Sequence, residues 1–239
     1  MTRWLQSVEI RGDEFPDRTR YPFNVAPLQG RQRLDLTRSA TFLVGENGSG
    51  KSTLIQAMAR RCGLHLWGQP RRRLGSDELS AAALSWHLGV TLAEGSVTGG
   101  LFSAETFREW AEFLDDVTRL DPGQAKYYGG TDLTARSHGQ GILAYLAGRY
   151  SVPGLYFLDE PESALSPASQ LELLQILANH RVSGQAQFVI ATHSPILLAL
   201  PESQIFHLAD TGIEETEYEA TDHYRLYRDF LTDRHRFLS

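Results

Sequence analysis

At 239 residues, 41% of them hydrophobic and 22% charged, the chain has the composition of an ordinary soluble globular protein: enough for one sizeable α/β core, too little for two independent domains plus linkers. A formal net charge of −6 argues against a surface devoted to nucleic acid, and no apolar run approaches the roughly 20 residues that a membrane span needs. The single cysteine, Cys62, excludes an internal disulfide framework and a cysteine-rich zinc site, and the N-terminus lacks a secretory apolar stretch, so the expected compartment is the cytoplasm.

The first ten residues alternate as a strand does. Residues 3–44 continue with short β-like segments broken by turn-rich stretches such as Gly12-Asp13-Glu14 and Asn24-Val25-Ala26-Pro27, which predicts a small, mostly antiparallel sheet leading into the strand Ala40–Val44. A glycine-rich turn follows, and from Ser52 onward Leu54, Ile55, Met58 and Ala59 recur at helical spacing. Residues 64–150 differ in character. Glycine-rich turns around Gly95–Gly100 separate amphipathic stretches such as Thr106–Leu120, and this interval reads as an inserted, mainly helical subdomain between two halves of a core lobe, 1–63 and 151–239. Arg60-Arg61 and Arg71-Arg72-Arg73 form the one basic concentration, read either as a solvated face or as a contact for nucleic acid or a partner.

The apolar run Leu155–Leu158 reads as a strand buried on both faces. It ends in Asp159-Glu160, and a helix follows with Ser166 as N-cap, Pro167 at its first position and Leu171, Leu174 and Leu177 on one face. Gln187–Ala191 is a second buried strand, ending at Thr192-His193-Ser194-Pro195. The strand–helix–strand order implies a right-handed crossover and parallel pairing. Residues 202–219 add two β segments, and Asp222–Leu231 a closing amphipathic helix. The expected fold class is α/β: a mostly parallel central sheet, an antiparallel N-terminal β region and an inserted helical subdomain.

Gly45-Glu46-Asn47-Gly48-Ser49-Gly50-Lys51-Ser52 matches G-x-x-x-x-G-K-[ST] between a strand and a helix, the context that gives the pattern its meaning. Its glycines let backbone N–H groups close around phosphate oxygens, aided by the positive end of the following helix. Lys51 is expected on the β- and γ-phosphates, Ser52 on Mg²⁺, and Thr53 within reach of the α-phosphate. Asp159 and Glu160 suit a division of labour in which Asp159 holds Mg²⁺, directly or through water, and Glu160 polarises an attacking water. Alone they read equally as a strand ending in a solvated acidic turn. Arg136-Ser137-His138-Gly139-Gln140-Gly141 is a small-residue turn before an apolar helix, a start suited to an anion. Because the chain already cradles phosphate elsewhere, that anion is expected on a second protomer's nucleotide. His193 falls at the same sheet edge as Lys51 and Asp159, where an imidazole can hydrogen-bond the γ-phosphate and the water.

Taken in order, these segments resemble the ABC-type ATPase family of P-loop NTPases. The likeness frames nearly the whole chain: the Walker A loop at Gly45–Ser52, the signature loop at Ser137–Gln140, the Walker B strand and catalytic glutamate at Leu155–Glu160, the D-loop at Ser163–Ser166 and the switch histidine His193. In particular, the chain resembles small stand-alone soluble bacterial members, akin to the heads of DNA-repair and chromosome-maintenance ATPases. The resemblance implies Mg²⁺-dependent hydrolysis of ATP by a homodimer, in which Ser137, Gly139 and Gln140 of one subunit cap the ATP held by Lys51 and Ser52 of the other. Two readings stand beside it: the ATP-binding subunit of a membrane transporter, and a slowly hydrolysing, nucleotide-controlled module in DNA repair or genome maintenance.

The chain also departs from the family pattern. His138 stands where the commonest signature has glycine, and Ser166 where the D-loop commonly has aspartate. The family's lobe-linking glutamine has no clear counterpart, although Glu105 lies at a plausible spacing, and Tyr21 or Phe23 is the candidate adenine-stacking aromatic. The 85 residues between Lys51 and Ser137 are too few for a lobe plus the long coiled-coil arm of chromosome-maintenance ATPases. No motif addresses the process that uses the ATP.

Overall fold

The computed structural model describes residues 4–64, 76–104, 106–130 and 133–238. The chain runs from β1 (Leu5–Arg11) to β2 (Arg31–Asp35) and β3 (Ala40–Val44), then into α1 (Lys51–Arg61) and α2 (Ser76–Ser85). Next come β4 (Leu88–Leu92), β5 (Gly99–Ser103), α3 (Phe107–Leu120) and α4 (His138–Arg149). The second half carries β6 (Gly154–Asp159), α5 (Pro167–Ser183), β7 (Ala186–Ala191), the short α6 (Pro195–Leu198), β8 (Gln204–Ala209), β9 (Gly212–Thr216) and α7 (Asp222–Thr232).

Two sheets result. A three-stranded antiparallel sheet has the order β2-β1-β4, and a six-stranded sheet has the order β5-β6-β7-β3-β8-β9, parallel throughout except for the terminal β8–β9 pair. Sequence patterning matches this division. β3, β6 and β7 are buried along their whole length, as strands covered on both faces must be, whereas β1 mixes buried and exposed positions. Within β6, Leu155 and Phe157 face a core shared with α1 and the antiparallel sheet, while Tyr156 and Leu158 face the core beneath α3, α4 and α5. The period-2 alternation of a strand thus assigns each side chain to one of two cores.

Two buried glutamines join the sheets. Gln187 on β7 exchanges both amide hydrogen bonds with the Leu5 backbone, each 2.8 Å long. Gln204 on β8 donates to the Asp35 carbonyl at 3.1 Å and accepts from the Thr37 N–H at 3.0 Å. Each satisfies backbone groups that sheet pairing leaves open in the interior, where an unpaired polar group is costly.

The interval 64–150 is less uniformly helical than its sequence suggests. It supplies β4 to the antiparallel sheet and β5 to the parallel one. Both strands are short, and β5 begins Gly99-Gly100, so neither stands out by apolar pattern. Gly99 is required there: a Cβ at that position would lie 1.7 Å from the Leu155 carbonyl oxygen. On α5 the buried face is Leu173 and Leu177, not Leu171, which is 51% exposed. Glu105 and Arg71–Arg73 lie outside the described residues.

Candidate nucleotide site

Strand register determines which side chains meet. Leu43 on β3 pairs with Ala191 on β7, and Ala191 pairs with Asp159 on β6, so the three parallel strands end in one row. The segments leaving that row are the phosphate loop, Asp159-Glu160 and Thr192-His193. It lies at the carboxyl edge beside β3, where the chain crosses from one side of the sheet to the other, the usual ligand position in open α/β sheets.

In the loop, Gly50 is the N-cap of α1 in the left-handed conformation (φ 88°), and a Cβ there would come within 2.9 Å of Val25. Lys51 is only 4% exposed, and its ammonium donates to the Gly45 and Glu46 carbonyls at 2.8 and 2.9 Å. Burial lowers its pKa, while Glu160, Asp159, Glu46 and Glu162 act in the opposite sense. The loop is thereby curled around its own lysine, with a buried cation at its centre.

Asp159 is buried at the strand end. Burial pushes its pKa up to about 6, against the pull of the Ser52 hydroxyl, the Gln56 amide and Lys51. Gln56 donates to Oδ2 at 3.3 Å, whereas Oδ1 is buried and makes no hydrogen bond among the described residues. A buried carboxylate oxygen without a partner, beside a serine hydroxyl, fits a hard divalent cation that takes its remaining oxygen ligands from phosphate and water.

Glu160 follows in a left-handed conformation (φ 45°). Its N–H donates to the Ala191 carbonyl at 2.9 Å and its carbonyl accepts from Ser163 N–H at 3.1 Å, which hold a backbone shape that costs a non-glycine residue about 1–2 kcal/mol. The held turn places Oε1 3.7 Å from His193 Nε2. His193 is fixed from two further directions. Its N–H donates to Glu162 Oε1 at 2.6 Å, and its Nδ1 lies 3.0 Å from His223 Nε2 on α7.

Ser137 and Gln140 are occupied differently. They form a reciprocal capping box at the start of α4, each backbone N–H donating to the other's side chain at 3.4 Å. Both are exposed, and among the described residues no hydrogen bond or ion pair ties them to the phosphate loop of the same chain. Gly139 instead abuts the segment after β6: a Cβ there would sit 3.3 Å from the Ala164 carbonyl oxygen.

A cleft of about 600 Å³ opens beside the loop, lined by Glu46–Ser49, Tyr21, Asn24, His207 and Asp210. Tyr21 is 48% exposed on this cleft, and its hydroxyl contacts the buried Thr53 hydroxyl on α1. Phe23 is engaged elsewhere, packed between Phe15 (centroids 4.8 Å apart) and His87 (5.3 Å). Sequence patterning did not single out Gln56, Glu162 or His223. Gln56 carries a signal, since it lies one helical turn beyond Ser52 on the same face. Glu162 lies inside the acidic run itself. His223 carries none, being one polar residue in an amphipathic helix.

A strand, a glycine-rich turn curled around a buried lysine, and a helix, with a buried aspartate at the end of β6, the next strand but one in the same sheet, define a P-loop nucleotide-binding fold. The family model described as "AAA domain, putative AbiEii toxin, Type IV TA system" matches residues 124–199. The cytochrome c biogenesis ATP-binding export protein CcmA of Paramagnetospirillum magneticum is 32% identical over 193 residues, spanning 74% of this chain and 84% of that protein. Among solved structures, CbiO1 from Clostridium perfringens covers 98% of this chain and 97% of its own, with a TM-score of 0.54 at 15% identity. The SMC head domain from Thermotoga maritima covers 90% and 100%, with a TM-score of 0.52 at 15% identity. The chain therefore belongs to the ABC-type ATP-binding proteins. Among its described residues no helix is long and apolar enough to cross a membrane.

Proposed function

We propose that the protein binds ATP with Mg²⁺ and hydrolyses it to ADP and phosphate in a head-to-tail dimer. The observation that carries this reading is the single edge shared by buried Lys51, the partnerless Asp159 Oδ1 and the strained Glu160 beside His193. Loop amides from Gly45 to Ser52 bind the β- and γ-phosphates, and Lys51 exchanges its two carbonyl partners for phosphate oxygens. Thr53 faces the α-phosphate. Ser52 and Asp159 would hold Mg²⁺, which when bound would supply positive charge against the phosphates. Glu160 accepts a proton from water as the water oxygen bonds to the γ-phosphorus. The bond to the β,γ-bridging oxygen breaks and ADP leaves with that electron pair. His193 donates to the transferring phosphoryl group and orients the water. Tyr21, with an exposed ring on the cleft, is favoured over Phe23 as the adenine platform.

Ser137, Gly139 and Gln140 belong in this reading to the partner subunit's nucleotide, which accords with the exposure of Ser137 and Gln140 and with the lack, among the described residues, of a hydrogen bond or ion pair from them to the loop of their own chain. Residues 1–63 and 151–239 form the nucleotide-binding lobe, and 64–150 the insert that carries the signature turn, with β4 and β5 packed into the lobe's sheets. A cytoplasmic location goes with this account. The transporter-subunit reading has its own support in the names of relatives: CcmA is called an export protein, and CbiO1 is described as part of an ABC transporter complex. Co-purification with a membrane protein favours that assembly without changing the chemistry.

The test is Glu160→Gln. The variant is expected to bind Mg-ATP with the parent affinity while steady-state turnover falls by about 10²–10⁴-fold. Turnover at the parent rate contradicts the role given to Glu160.

A further inference from the structure

The rings of His193 and His223 face each other, with centroids 5.2 Å apart and the two nitrogens at hydrogen-bond distance. His193 follows β7. His223 sits in the first turn of α7, anchored by Thr221, whose hydroxyl accepts from the Tyr224 N–H at 3.2 Å, and by Tyr218, whose hydroxyl donates to the Pro195 carbonyl at 3.0 Å. Apart from this contact, His193 Nε2 and His223 Nδ1 are buried atoms that make no hydrogen bond.

A hydrogen bond between two imidazoles requires one N–H and one lone pair. If His193 donated from Nδ1, its neutral ring would turn the Nε2 lone pair toward the Glu160 carboxylate and the incoming phosphate, a repulsive arrangement. If His223 donates from Nε2, His193 accepts at Nδ1 and carries its proton on Nε2, directed at those anions. Burial, followed for His193 by Lys51 and for His223 by His193 and Lys51, lowers the pKa of both rings, while Glu160 and Glu46 on the first and Glu46 and Asp222 on the second act oppositely. Neutral rings are the state in which the tautomer matters.

We propose that His223 is a positioning residue whose Nε2–H fixes His193 as the Nε2–H tautomer, aimed at Glu160 and the transferred phosphoryl group. The catalytic consequence rests on the reading of His193 given above; the tautomer does not. The closing helix α7 thereby becomes part of the hydrolytic site through a residue that acts on His193 and not on the substrate.

The test uses the full chain, nucleotide-free, with ¹⁵N-labelled histidine, the two residues being assigned from His193→Gln and His223→Gln. Nitrogen NMR at pH 8 is expected to show His193 protonated at Nε2 and unprotonated at Nδ1, with a slowly exchanging N–H on His223 coupled across the bond. In His223→Leu the His193 signals should move to the average of both tautomers. In His223→Gln, whose amide still donates, they should stay. A parent protein protonated at His193 Nδ1 overturns the proposal even if no variant folds, as do His193 signals unmoved in His223→Leu. In parallel, kcat for ATP is expected to fall roughly three- to tenfold in His223→Leu and less than about twofold in His223→Gln, with KM unchanged in both. A merely structural role for His223 moves KM and lowers Tm in both variants, and that outcome contradicts positioning. If the tautomer shifts while turnover holds at the parent rate, the hydrogen bond stands and the role of His193 in hydrolysis falls.

Discussion

Asp159 shows how the site is charged before any ligand arrives. Its pKa is pushed from 3.8 to about 6, chiefly by burial. A carboxylate raised in the folded state contributes stability that is fully present below its unfolded value, near pH 4, and is lost as pH rises through about 6. Asp159→Asn has no such proton to lose. In EDTA, its unfolding free energy relative to the parent should therefore rise by on the order of 3 kcal/mol between about pH 4 and about pH 7.5, read from urea titrations. A difference that stays flat across that range contradicts the burial penalty assigned to Asp159. Lys51, Ser52, Asp159, Glu160 and His193 can be singled out in the sequence because each ends or begins a patterned segment, and parallel order brings those segments to one edge. Gln56 offers only its spacing from Ser52, and His223 offers nothing, because what gives them meaning lies far along the chain: Asp159 is 103 positions from Gln56, and His193 is 30 from His223.

Among the elements, the segment between β6 and α5 carries Ser166, and local chemistry explains its place there. Ser166 Oγ accepts from the Ser169 N–H at 3.2 Å, the bond that an N-cap side chain makes to the third residue of a helix. Aspartate caps equally well and adds a charge that suits the helix dipole. Ser166→Ala should lower unfolding free energy by about 1 kcal/mol, and Ser166→Asp should leave it unchanged or slightly higher. Equal losses in both variants count against the capping role. The same comparison isolates any effect of Ser166 on turnover, since Ser166→Asp keeps the helix start while changing what an adjoining subunit would meet in the proposed dimer.

For the whole molecule, the fold class follows from three fully buried, mostly apolar strands and the helices between them, which only a sheet covered on both faces accommodates. β4 and β5 were not legible for a physical reason. At the start of β5, Gly99 is needed because β6 approaches too closely for a side chain, so the residue that makes the pairing possible weakens the apolar pattern that would announce it. The buried glutamines behave likewise: inside apolar runs they read as interruptions, yet they join the two sheets.

At this scale the central claim is that each nucleotide is enclosed by two subunits, and subunit complementation tests it directly. Lys51→Ala removes the phosphate-loop cation but keeps the signature turn, whereas Ser137→Arg blocks the turn but keeps the loop, and each alone should be nearly inactive. Mixed in equal amounts, they should recover ATPase activity toward about a quarter of the parent's, because half of randomly paired dimers carry one complete site of two. Activity that stays at the sum of the separate variants contradicts the two-subunit site.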